Sequence, residues 1–71
     1  MTAETLHDAI GIYLRAQSAE ARTAFLGRYY FLDSVRDVAA YLGISESKCK
    51  TLLFRTRKGL REYLEKEGFC L

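Results

Sequence analysis

Residues 38–64 read VAAYLGISESKCKTLLFRTRKGLREYL, and the character of this stretch changes at its middle. Up to Ile44 it is apolar and uncharged. From Ser47 to Arg61 it carries six basic residues (Lys48, Lys50, Arg55, Arg57, Lys58 and Arg61) and no acidic one. Between the halves stands Gly43, a residue that ends a helix in a left-handed turn at little steric cost. Ile44 plugs the turn, and the Ser45 hydroxyl can cap the helix that follows. Small Ala39 lets that helix cross its predecessor closely, while Val35, Val38, Leu42, Ile44, Cys49 and Leu52 lock the two together. This is the spacing of a helix-turn-helix, whose second helix is pushed outward to enter a major groove. An ordinary corner between helices needs only the turn. Six apolar positions, the alanine and the glycine, all in register, favour the helix-turn-helix.

Winding the last helix at about 100° per residue separates two faces. Cys49, Leu52, Leu53, Thr56, Leu60, Tyr63 and Leu64 gather on one side and should meet the core. Ser47, Lys48, Thr51, Arg55 and Lys58 gather on the other. Short hydroxyls among cations suit base edges flanked by phosphates. Ser47 and Thr51 lie one turn apart near the helix start, where recognition helices read bases. A face built only for solubility would intersperse glutamates, and none occurs between Ser47 and Arg61. Phe54 lies almost opposite the core. It should meet thymine methyls, a sugar edge or a protein partner, unless the first helix folds over it.

Upstream, Leu6, Ile10, Tyr13 and Leu14 recur at helical spacing over residues 3–17. Ser18 offers a cap, and Glu20 a favourable first-turn charge, for a helix over 19–30 striped by Ala21, Phe25, Leu26, Tyr29 and Tyr30. Gly27 inside it marks a close approach between helices. Tyr29, Tyr30, Phe31 and Leu32 are expected mainly in the core, with some free to line a groove for a partner helix. Ser34 and Asp37 resemble a capping box for a helix over 34–42, and Gly68 stops the last helix, 46–66. The expectation is an all-α, four-helix domain covering 1–71 with a C-terminal helix-turn-helix.

The bulk numbers agree. Seventy-one residues, 49% of them hydrophobic, make one small domain with a modest core. The absence of proline and the scarcity of β-branched runs point to helices. Net charge is only +2, but residues 34–71 carry eight basic against five acidic side chains, whereas 1–33 carry three against four. Such a basic block is the footprint of a phosphate-binding surface. No apolar run approaches the roughly 18 residues that cross a bilayer, so no membrane role is expected. Cys49 falls on an apolar helix face and Cys70 in the tail, both read as reduced thiols of a cytoplasmic protein. His7, the single histidine, is read as a helix-surface residue, and no metal site or cofactor is expected. No phosphate loop, nucleophile–base pair or carboxylate dyad appears, so the chain is not expected to be an enzyme. Glu62, Glu65 and Glu67 balance the helix end.

Laid out this way, residues 25–68, FLGRYYFLDSVRDVAAYLGISESKCKTLLFRTRKGLREYLEKEG, resemble region 4 of the sigma-70 family of bacterial RNA polymerase initiation factors. The likeness is greatest to its short, extracytoplasmic-function type, with the pattern IA..LGISE..VK..L.RAR..L...L. The run LGISE, Lys50, Leu53 and Arg55-Thr56-Arg57 carry it. The resemblance implies recognition of the −35 promoter element by the last helix. It also implies docking on the β-subunit flap of RNA polymerase through apolar surface, with an anti-sigma factor as a further partner. By position, Glu46, Ser47, Lys48, Lys50 and Thr51 fall where the family contacts bases and nearby backbone. Ser34 and Arg28 fall where phosphate contacts are expected, and Arg55 lies farther along the same groove-facing side. Cys49 stands where valine or isoleucine is usual and should pack alike. Leu52 replaces a common arginine, which removes a backbone contact. Lys48 replaces a common small residue, which implies a different promoter sequence. The part of a sigma factor that opens the −10 element has no counterpart in the chain. It is therefore expected to be a C-terminal domain cut from a longer sigma factor, or a free-standing relative. Two other readings stay open: an autonomous dimeric helix-turn-helix regulator, and a module that chiefly grips polymerase or an anti-sigma factor through Phe54, Phe69 and Leu71.

Overall fold

The computed structural model describes residues 5–69. In chain order these form α1 (Leu6–Arg15), α2 (Ala19–Phe25), a π-helical turn (Leu26–Tyr30), α3 (Val35–Leu42) and α4 (Glu46–Lys66). The architecture is all-α, and α3 and α4 form the expected helix-turn-helix.

Four hydroxyls set where the helices start. Thr5, Ser18, Ser34 and Ser45 accept from the main-chain N–H of Asp8, Ala21, Asp37 and Lys48 at 3.1, 3.1, 3.0 and 3.0 Å, each contact contributing about 1 kcal/mol. The Thr5 cap explains why α1 begins at Leu6 rather than residue 3; Ala3 and Glu4 lie outside the described residues. At its other end α1 stops before Gln17. The Ala16 and Gln17 amides close tight bonds to Tyr13 O and Leu14 O, both 3.1 Å, and Ser18 is already committed to the next helix.

The second helix departs from expectation. It is α-helical only to Phe25; then the winding widens, with Phe31 N–H bonded to Leu26 O at 3.0 Å and Asp33 N–H to Gly27 O at 2.9 Å. Gly27 is the close approach anticipated for it, because an added Cβ would collide with the Tyr41 phenol of α3. Leu32 follows at φ 60°, a left-handed conformation uncommon for a leucine. The widened turn and this reversal aim Tyr29, Tyr30, Phe31 and Leu32 outward, so the expectation that they are mainly core is wrong. Their exposures are 40, 74, 67 and 76%.

Helix α4 is the spine of two apolar clusters. Toward its N-terminal half, Cys49 and Leu53 pack with Ala24, Val38 and Ala39, flanked by Val35, Leu42, Ile44 and Leu52. Toward its C-terminal half, Leu60 and Leu64 pack with Ala9, flanked by Ile10, Tyr13, Phe25, Tyr63 and Phe69. Full burial of a valine- or leucine-sized side chain contributes roughly 1.5–3 kcal/mol, so these clusters, not the caps, hold the helices together. Phe69, expected to be exposed, is half-buried in the second cluster; Cys70 and Leu71 lie outside the described residues. A half-buried polar tie joins α1 to the middle of α4: Tyr13 Oη donates to Thr56 O at 3.0 Å, in space left by Gly59. The buried Thr56 hydroxyl is itself satisfied by Leu52 O at 2.8 Å.

The turn between α3 and α4 is closed as its sequence requires. Gly43 adopts φ 69°, ψ 32°. Its N–H bonds to Ala40 O at 3.2 Å, and that of Ile44 to Ala39 O at 3.0 Å, the paired closure that satisfies the last carbonyls of a helix.

Candidate nucleic-acid interface

The turn and the two clusters leave one whole side of α4 uncovered. Ser47, Lys48, Lys50, Thr51, Arg55 and Lys58 are all exposed on it, as is Glu46 in the first turn, where its charge favours the positive end of the helix dipole. Thr51 Oγ1 donates to Ser47 O at 3.1 Å, which leaves its lone pairs and methyl group facing solvent. A ligand therefore meets Thr51 as an acceptor with an apolar edge. Phe54 is 57% exposed among these residues. Helix α1 packs instead against Leu60 and Leu64, so the alternative in which the first helix covers Phe54 is ruled out.

The remaining two candidate residues come from outside α4. Ser34 caps α3 with its Oγ, which gives the hydroxyl oxygen a structural duty besides any ligand contact. Arg28, on the π-helical turn, is half-buried and donates to Asp33 O at 3.5 Å. A shallow depression brings Arg28 and Lys50 together, along with Tyr29, Val35, Leu53, Phe54 and Arg57. Phe54 and Arg57 also border a second depression with Lys58 and Arg61. Ser47, Lys48, Thr51 and Arg55 line neither and form the open face.

Charge on this side is largely uncompensated. Among the described residues the one ion pair is Arg61–Glu65, at 3.2 Å and exposed. Lys48, Lys50, Arg55, Arg57 and Lys58 therefore have no carboxylate partner among the described residues. Exposed cations grouped in this way raise the local potential and attract polyanions. Two residues outside the expected contact set, Arg57 and Tyr29, belong to this surface. Arg57 Nη1 donates to Tyr29 Oη at 3.1 Å, and the Arg28 guanidinium lies 5.9 Å from the centre of the Tyr29 ring. The basic block marked Arg57 as a cation, but a partner 28 positions earlier leaves no local signal.

Burial, and then the nearby Glu46 carboxylate, push the Cys49 thiol up, so it is a neutral packing group. Burial followed by Glu62 raises the Tyr13 phenol, and burial followed by Asp33 raises that of Tyr41. Among the described residues no three His, Cys, Asp or Glu side chains gather as metal ligands, and no helix is long and apolar enough to cross a membrane.

A family model described as Sigma-70, region 4 matches residues 18–60, a span that takes in α2, the π-helical turn, α3 and most of α4. The chain belongs to this sigma-70 region 4 family. No curated protein and no solved structure matches the chain significantly. Sigma-70 region 4 domains are DNA-binding parts of transcription initiation factors and are not an enzyme family. Helix α1 lies outside the matched span, so the tie from Tyr13 to Thr56 joins the family segment to a part of the chain that the match does not reach.

Proposed function

We propose that this sigma region 4 domain recognises the −35 promoter element in duplex DNA and thereby helps direct RNA polymerase to promoters. The observation that carries the reading is the open face of α4, where hydroxyls lie among cations that have no ion-pair partner among the described residues. In this reading Ser47 and Thr51 meet base edges, with Glu46 and Lys48 beside them. Lys50, Arg55, Lys58, Arg28 and Ser34 hold phosphates on either side. Phe54 packs on a thymine methyl or a sugar edge. Selection from a random duplex pool tests this: the domain should enrich one short motif, and Lys50→Glu with Arg55→Glu should abolish the enrichment. Retention of the same motif by that variant would show that DNA meets another surface.

A second surface favours protein docking. Tyr30, Phe31 and Leu32 are each at least two-thirds exposed and adjacent, an apolar group suited to the polymerase β flap or to an anti-sigma factor. Titration of the labelled chain with a flap-tip fragment should shift these residues and spare Ser47 and Thr51. No shifts at high flap concentration would favour the autonomous regulator instead.

A further inference from the structure

We propose that Tyr29 is a positioning residue that holds Arg57 ready for one backbone phosphate of duplex DNA, in a seat shared with Arg28 and Lys50. The seat lies on the flank of α4, beside the face that meets base edges, and the inference rests on the DNA-binding reading above.

The depression is lined by Arg28, Lys50 and Arg57 and contains no carboxylate. Lys50 and Arg57 stand seven residues apart on α4, two turns and roughly 10 Å along one side of the helix. Arg28 reaches the same hollow from the π-helical turn, and Val35 brings in the first turn of α3. Val35 and Leu53 supply apolar wall, which strengthens a charge-assisted hydrogen bond made above it.

Tyr29 is fixed before any ligand arrives. Its ring packs against Phe25, with centroids 4.9 Å apart, and against the Arg28 guanidinium. Its oxygen accepts from Arg57 Nη1 at 3.1 Å. An exposed arginine otherwise samples many rotamers, and ordering it on binding opposes association. Held by one N–H, Arg57 keeps its other donors for a phosphate oxygen. The widened turn makes this possible, because it is what turns Tyr29 out of the core toward α4.

The test is a double-mutant cycle on binding to a mixed-sequence duplex over a salt series, since a phosphate contact carries no sequence information. Arg57→Ala should weaken binding several-fold and reduce the slope of log affinity against log salt by about 0.9. Tyr29→Phe keeps the ring against Phe25 and should leave the thermal midpoint unchanged. It should weaken binding about threefold, the low end of what one hydrogen bond contributes net. Added to Arg57→Ala, it should have no further effect, because Tyr29 acts through Arg57. If wild type binds and Tyr29→Phe matches it, or if the Tyr29→Phe loss persists undiminished in the Arg57→Ala background, the positioning role is overturned while DNA binding stands. If wild type fails to bind duplex even at low salt, both fall.

Discussion

In the proposed complex with DNA, Lys50 and Thr51, neighbours in sequence, have opposite duties. A lysine is a point charge that any phosphate satisfies, whereas Thr51, its proton spent on Ser47 O, offers an acceptor and a methyl group. Thr51→Val should therefore leave overall affinity for mixed-sequence DNA nearly intact. It should erase roughly 1–3 kcal/mol of discrimination at one base pair, read by binding to a panel of singly substituted sites. Loss spread evenly over all positions would show that Thr51 does not read a base. Much at this scale was legible: helical winding alone put Cys49 inside and Thr51 outside. Tyr29 was not, because an aromatic residue in an apolar run looks like core unless its distant partner Arg57 is known.

At the scale of elements, the helix-turn-helix was readable because its determinants are local. Gly43, the serine caps and the apolar spacing each act within a few residues, and their demands agree. Gly43→Ala meets no neighbour within 4 Å, so its cost is backbone strain alone. Urea unfolding should show a loss of about 1–2 kcal/mol, with the denaturant slope unchanged. An unaltered midpoint would mean that the turn does not need its left-handed residue. The helix over 19–30 was misread in its second half for the converse reason. A reading at 3.6 residues per turn assumes constant winding, and the π-helical turn breaks it at Leu26. From there every side chain is rotated, and four apolar residues assigned inward point out. Nothing in their composition distinguishes the two outcomes; the close packing of Gly27 on Tyr41 is tertiary.

For the molecule as a whole, two protons report on folding. Cys49 and Tyr13 have raised pKa values, chiefly through burial, so the folded state holds these protons longer than the unfolded one. Their contribution is complete at neutral pH. It is lost as pH rises from the ordinary thiol range through the raised phenol value. Urea midpoints should accordingly fall on the alkaline side. Tyr13→Phe should flatten part of that fall while costing about 1 kcal/mol at neutral pH through the lost bond to Thr56 O. A midpoint constant into the phenol range would contradict these burials. Charge gives the other whole-molecule signature. A net +2 understates a surface whose cations collect along α4, and duplex affinity should fall steeply with salt.

The most direct test of DNA recognition by α4 is an amide-shift titration of the labelled domain with a duplex selected from a random pool. Shifts should concentrate at residues 45–58, Ser34 and Arg28, and spare Tyr30, Phe31 and Leu32. Shifts confined to that apolar trio, or none along α4 at saturating duplex, would contradict recognition by this helix.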